Sequence, residues 1–194
     1  MDKFFSHNTF VIDENIQAFK LSNAYKVYDA QGQEIGAIQE HKSFARIMLG
    51  MFLADSMMPF ELNILNADGK RVAQLKRGMT LLRSKVRIYN ETGAPIGTFK
   101  HLFSLMKPKF ILKDNVGKEL ATIKGDWKAW NFEITDANGQ LIGKVDKKWN
   151  GVVKEFFTTA DQYVVNIEPR VTDENQRIAI ASVAAAIDMV LKEG

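Results

Sequence analysis

Arg177-Ile-Ala-Ile-Ala-Ser-Val-Ala-Ala-Ala-Ile-Asp-Met-Val-Leu191 is the stretch around which the rest of the chain is organised. It contains no Pro or Gly, Asp173, Glu174 and Asn175 precede it as N-cap candidates, and Lys192 and Gly194 close it, so the run predicts one helix. Beyond Arg177 only Ser182 and Asp188 interrupt an apolar cylinder, and a helix apolar on every side must be buried in a core or in a bilayer. Length decides between the two. From Asn175 to Leu191 a helix covers about 25 Å, but its uncharged part is only about ten residues, half of the ~20 that a spanning helix needs. Burial inside the protein follows. Ala179, Ala181, Ala184, Ala185 and Ala186 keep the cylinder thin, and the remaining sequence has to supply its sheath.

That sheath is written as a repeat. Five times an Asp or Asn is followed three residues later by Gly, then three further on by an apolar residue, next to it a Gly or Ala, and two beyond that another apolar residue. The copies are Asp29/Gly32/Ile35/Gly36/Ile38, Asn66/Gly69/Val72/Ala73/Leu75, Asn90/Gly93/Ile96/Gly97/Phe99, Asp114/Gly117/Leu120/Ala121/Ile123 and Asp136/Gly139/Ile142/Gly143/Val145. An Asx side chain caps a tight turn through nearby backbone, and Gly supplies positive φ before a return strand, so each copy predicts a β-hairpin. Positions two and four before each Asx are apolar (Val27 and Tyr25, Ile64 and Leu62, Ile88 and Val86, Leu112 and Phe110, Ile134 and Phe132), the alternation of a strand with one buried face. On the return strand the two apolar residues stand three apart, which regular pleating would put on opposite faces; a bulge is expected there. The last four copies recur every 22 to 24 residues, with no room for crossover helices, so the sheet is antiparallel. Phe10-Val-Ile12 predicts an edge strand, and Tyr163-Val-Val-Asn-Ile167, with the Asn150-Gly151 turn before it, predicts closing strands. The sum is a mainly β chain: a closed antiparallel barrel of about twelve strands, too wide for side chains alone to fill, enclosing the hydrophobic C-terminal α-helix.

A length of 194 residues, 46% of them hydrophobic and 25% charged, suits one soluble domain over 1–194. The absence of Cys excludes disulfides, thiolate metal sites, a Cys nucleophile and S-palmitoylation. The start, Met-Asp-Lys-Phe-Phe-Ser, carries neither a signal-peptide pattern nor the Gly that myristoylation needs, so the expected place is cytoplasmic, peripheral on the inner face of the cell membrane if lipid is the partner. Net charge is +3 but unevenly spread: residues 1–69 carry 5 Lys/Arg against 9 Asp/Glu, residues 70–154 carry 18 against 7, and residues 155–194 carry 3 against 7. A central block of net +11 suits phosphate-rich partners, an anionic membrane first and nucleic acid less so.

Catalytic chemistry finds no constellation. His7, His41 and His101 have no second ligand at metal spacing, the Asx residues are turn formers, and no Gly motif lies between a strand and a helix. No enzyme, cofactor or metal is expected. Asp188 reads as a buried functional carboxylate or, as its place in the last turn of the helix favours, as a residue that emerges at a barrel mouth and meets a Lys or water. The segment Phe44 to Met58 is apolar on both sides of a helical wheel and reads as a helix plugging the barrel mouth or as a Met-rich surface for a membrane or partner. Trp127, Trp130 and Trp149 alternate with Lys124, Lys128, Lys147 and Lys148, a composition suited to a membrane interface or to stacked bases, with tryptophans packed in the core as the alternative. The basic residues expected to meet lipid are Lys124, Lys128, Lys144 and Lys148, beside Trp149.

The run Gly143-Lys-Val-Asp-Lys-Lys-Trp-Asn-Gly-Val-Val-Lys-Glu-Phe-Phe-Thr-Thr-Ala-Asp-Gln-Tyr163 resembles the C-terminal signature of the phospholipid scramblases and their bacterial and plant LURP-one relatives, which share the Tubby-like fold. Asp126-Trp-Lys-Ala-Trp-Asn-Phe-Glu-Ile134 and the Asx-Gly hairpins resemble that family too, over roughly Tyr25 to Leu191, and the chain is similar to its bacterial type. The resemblance implies a twelve-stranded barrel threaded by the C-terminal helix and a non-enzymatic protein that binds anionic phospholipid or moves it across the bilayer; the alternative is a soluble scaffold for a protein or nucleic-acid partner. In eukaryotic scramblases the stretch after the signature is an acid-rich loop proposed to bind calcium. Here the matching positions hold Thr159, Asp161 and, at a later acid position, Arg170. One carboxylate does not make a site of six to eight oxygens, so no tight calcium binding is expected. The Pro-rich N-terminal segment and palmitoylated cysteines of those relatives have no counterpart in this sequence.

Overall fold

The computed structural model describes residues 2–14, 24–41, 57–79, 85–102, 108–126, 130–147 and 162–191. Twelve strands follow in order: β1 (Thr9–Glu14), β2 (Ala24–Tyr28), β3 (Glu34–Glu40), β4 (Phe60–Asn66), β5 (Arg71–Arg77), β6 (Lys85–Asn90), β7 (Pro95–Leu102), β8 (Lys109–Asp114), β9 (Glu119–Asp126), β10 (Asn131–Thr135), β11 (Leu141–Asp146) and β12 (Gln162–Ile167). Each pairs antiparallel with its sequence neighbours, and β1 also pairs with β12, closing the barrel. Thr9–Glu14 is therefore an interior strand of a closed sheet and not the edge strand expected from its sequence. Residues 15–23, 42–56 and 148–161, including most of the Met-rich segment and the Asn150-Gly151 turn, lie outside the described residues.

All five repeat copies form the same turn. In the first, the Asp29 N–H donates to Gln33 O (3.0 Å), the Gly32 N–H donates to Asp29 O (3.1 Å), and the Asp29 carboxylate accepts from the N–H groups of Gln31 and Gln33. Gly32, Gly69, Gly93, Gly117 and Gly139 have φ of +79°, +73°, +82°, +91° and +78°, the left-handed region where a Cβ is penalised. Just beyond each turn the register slips by one residue. Val27 faces Gly36 while Tyr28 faces Glu34, so Ile35 is the extra residue of a bulge, and Val72, Ile96, Leu120 and Ile142 are its equivalents. The bulge turns both apolar residues of the return strand inward, which resolves their spacing of three. Small residues follow the bulge because backbone comes close: a Cβ on Gly36 would stand 2.0 Å from Leu65 O, and one on Gly143 would stand 3.2 Å from the Ile180 side chain of the helix.

The helix fills the barrel in two segments, α1 (Glu174–Ala181) and α2 (Val183–Leu191). Asp173 is the N-cap, its carboxylate accepting from the Gln176 N–H at 2.8 Å. Ser182 separates the segments without ending the run; its N–H and Oγ both donate to Ile178 O, and Ala186 N–H donates to Ser182 O. Ile178 to Val190 are all buried, and the five alanines let the barrel close around them.

The two ends of the barrel differ. The five Asx–Gly turns all lie at one end, called here the turn end. The connections β1–β2, β3–β4, β5–β6, β7–β8, β9–β10 and β11–β12 lie at the other, the loop end. The helix enters at the turn end after β12 and runs toward the loop end. At the turn end a 3-10 turn, Lys3–Ser6, capped by Asp2, inserts Phe4 and Phe5, stacked edge to face at 4.9 Å.

Candidate functional site

Two charged side chains are buried along the helix. Arg177, 5% exposed, donates from Nε to Phe5 O (2.7 Å), from one terminal nitrogen to Val171 O (2.8 Å) and from the other to His7 O (2.7 Å) and Asn8 Oδ1 (3.0 Å). Burial lowers its guanidinium pKa below the ordinary arginine value. It ties the N-terminal segment to α1 and reads as a clamp. Asp188, 0% exposed, accepts from the hydroxyls of Tyr25 (2.5 Å) and Tyr163 (2.9 Å). The expected emergence of Asp188 at a mouth is thus corrected: the side chain is buried, and its two oxygens accept from tyrosines on the loop-end starts of β2 and β12. Trp130 packs on Tyr163 with ring centroids 4.3 Å apart and holds φ +48°, a strained value for an aromatic residue. Asp188 thereby anchors α2 to the loop end.

The histidines are packing residues or lie at the surface. His101 stacks on Phe110 at 4.8 Å, and burial lowers its pKa; His7 meets the Phe10 ring at 6.5 Å; His41 is exposed. Among the described residues no group of three or more His, Asp or Glu is placed to hold a metal ion.

The outer face of β5 to β9 is different in kind. Inward Val86, Ile88, Phe99, Phe110, Leu112 and Ile123 force their strand neighbours outward, and Lys85, Arg87, Lys100, Lys109, Lys113 and Lys124 are among those neighbours. The register then sets cations opposite cations: Lys76 faces Arg87, Lys85 faces Lys100, and Lys109 faces Lys124. Like charges directly opposite on a sheet destabilise it, so three such pairs side by side cost stability unless a counter-charge arrives from outside. Lys76 has Glu61 at 3.2 Å and Lys124 has Glu133 opposite it on β10, but Lys85, Arg87, Lys100 and Lys109 have no acidic partner among the described residues. Ile111 and Leu102 sit between them, half-buried, giving the cations an apolar floor.

Of the residues expected to meet lipid, the structure places Lys124 in this wall and Lys144, also exposed, two strands away. Glu133 faces both across β10 and approaches Lys144 at 4.0 Å, so the two lysines are separated by an acid and do not form one patch. Lys128, Lys148 and Trp149 lie outside the described residues. Sequence reasoning missed Lys85, Lys100 and Lys109. The signal was present: each hairpin turn sets its own register, and counting back from the β6–β7 turn puts Lys85 opposite Lys100.

Comparison with known proteins agrees with this architecture. Residues 6–193 match the family model described as Scramblase. The chain is 24% identical over 208 residues to human phospholipid scramblase 2, covering all of this chain and 68% of the relative. It is 23% identical to mouse phospholipid scramblase 1, covering all of this chain and 62% of that protein. It is also 23% identical to a phospholipid scramblase family protein of Schizosaccharomyces pombe, covering 90% of this chain and 51% of that one. The chain thus spans 51% to 68% of the length of these relatives. A solved structure of an Arabidopsis thaliana protein aligns with a TM-score of 0.54 and 10% identity, over 94% of this chain and 88% of that one, a likeness of fold. With the family model matching nearly its whole length, the chain belongs to the scramblase family.

Proposed function

We propose that this protein is a non-enzymatic, lipid-handling protein that binds anionic phospholipid surfaces peripherally, at the inner face of the cell membrane, through the basic wall of β6 to β9. The observation that carries this reading is the set of cross-strand cation pairs, Lys85 with Lys100 and Lys109 with Lys124, of which only Lys124 has a described carboxylate, Glu133, opposite it. Two relatives in the family are named phospholipid scramblases, which favours lipid over other polyanions. No described helix is long and apolar enough to cross a membrane.

Binding is independent of calcium in this reading. The positions matching the acid-rich loop of relatives hold Thr159, Asp161 and Arg170, one carboxylate where a calcium site takes six to eight oxygens. Arg170 donates to the Gln140 side chain and Leu141 O at the turn end.

Cosedimentation with vesicles tests the wall. Each basic residue near an anionic leaflet contributes about 1 kcal/mol, so converting Lys85, Lys100, Lys109 and Lys124 to Glu should lower affinity for phosphatidylserine-containing vesicles by at least about 100-fold at low salt. Unfolding free energy should change by no more than about 0.5 kcal/mol, because exposed charges contribute little to folding. Equal binding to neutral and anionic vesicles, or no response to the reversal, would remove this reading. Tighter binding to a nucleic-acid duplex at matched salt would reassign the wall to that partner.

A further inference from the structure

The cations of the wall are not evenly spread. Inward Ile88, Phe99 and Leu112 turn Arg87, Thr98 and Lys113 outward, and the register sets these three in one row across β6, β7 and β8. Arg87 faces Thr98 on one side and Lys113 faces it on the other, each with its Cβ about 5 Å away. Lys100 shares the face two residues along β7, about 7 Å off, and Lys85, opposite Lys100, is the diagonal neighbour. Four cations thus surround one threonine.

The acids nearby are engaged elsewhere. Asp114 Oδ1 accepts from the N–H groups of Val116 and Lys118 inside its own turn. Glu119, opposite Lys113, accepts at Oε1 from Thr122 Oγ1 at 2.7 Å. Lys85, Arg87, Lys100 and Lys113 form no ion pair among the described residues, and the half-buried Thr98 hydroxyl makes no hydrogen bond among them. Arg87 is the one arginine in β6 to β9.

This cluster has more charge and more donors than a phosphodiester can use. A diester carries one negative charge, which a single lysine matches. A phosphomonoester carries about −1.5 to −2 at neutral pH and three strong acceptor oxygens. A guanidinium forks onto two of those oxygens, a hydroxyl can serve the third, and ammonium groups balance the remaining charge. We propose that Arg87, Thr98, Lys100 and Lys113 form a site for a phosphomonoester, supplied by a lipid whose headgroup ends in one. The site rests on the lipid-binding reading of the wall and adds to it the headgroup chemistry that the wall selects.

Vesicles containing phosphatidate or phosphatidylserine, adjusted to the same zeta potential, separate headgroup chemistry from surface charge. The parent chain should bind the phosphatidate vesicles about tenfold more tightly at physiological salt, the worth of one hydrogen bond to a charged group. Thr98→Val keeps shape and charge; it should abolish that preference and leave binding to phosphatidylserine as it is. Arg87→Lys keeps the charge without the fork and should weaken the preference as well. Both positions face outward, so melting temperatures should stay within about 2 °C of the parent. Equal binding to the two vesicles, or a preference that survives Thr98→Val, would overturn the phosphomonoester site and leave the lipid reading of the wall standing. Binding to neither vesicle would remove both. Soluble glycerol 3-phosphate, titrated into the phosphatidate-bound protein, separates the sources: displacement only at large excess supports the lipid, and displacement at concentrations equal to phosphatidate would overturn it in favour of a free phosphate.

Discussion

The turn end and the loop end of this barrel solve one problem, how to stop a wide cylinder with a helix inside it, by different means. At the turn end the closure is backbone chemistry: five identical Asx–Gly turns, a 3-10 turn inserting Phe4 and Phe5, and Arg177 collecting carbonyls from both sides. At the loop end it is side-chain chemistry, with Tyr25, Tyr163 and Trp130 gathered around Asp188. Carbonyls are obligatory acceptors that every sequence supplies, whereas a carboxylate held by hydroxyls depends on three particular residues. One end is therefore closed by groups that any sequence supplies, and the other by particular side chains.

The largest test of this contrast is Arg177→Met, which leaves Phe5 O, His7 O, Val171 O and Asn8 Oδ1 without their donor. Buried polar groups left unpaired cost about 1–3 kcal/mol each before any rehydration, so denaturant unfolding should show a loss of at least about 3 kcal/mol. A smaller effect is expected of Asp188→Leu, about 2 kcal/mol from two orphaned hydroxyls. Adding Tyr25→Phe and Tyr163→Phe should recover most of that loss, since an apolar set with no polar member is nearly neutral. Were the order reversed, with Asp188→Leu the more damaging, the loop end would be the main structural lock and the contrast drawn here would be inverted.

The smallest effect concerns His101, inward-facing near the loop end. Burial lowers its folded pKa below the ordinary value near 6.5, so the unfolded chain binds the proton more readily. Its contribution is neutral above that value and becomes a loss as pH falls below it. Replacing His101 with Phe should flatten the decline in stability between about pH 7 and pH 5 relative to the parent chain. An unchanged slope would show that other groups set the acid limit.

The architecture was legible because its determinants are local. An Asx residue and a Gly three positions on specify a turn, the turn specifies the register, and the spacing of Ile35 and Ile38 announces a bulge before any coordinates exist. The helix was legible from composition alone. The buried clamps were not. Arg177 bonds to backbone carbonyls some 170 residues away, and a carbonyl has no signature in a sequence. Asp188 was misplaced because its exposure depends on how far β2 and β12 extend past the helix, a three-dimensional length that no periodicity reports. For the candidate lipid-binding residues, reasoning along single strands favoured Lys144 and Lys148; the cation pairs emerge only across strands, where Lys85 meets Lys100.

A ribosome delivers this chain from its N-terminus, and the cylinder closes between its first strand and its last, β1 with β12, around a helix made later still. Until residue 191 has left the exit tunnel, a sheet of up to twelve strands waits with its apolar face bare, longest for the strands made earliest. Its contacts are sequential except at that one seam, so hairpins zip quickly and the final closure is slow. A chain cut before residue 174 should therefore yield a sticky open sheet and not a smaller version of the barrel.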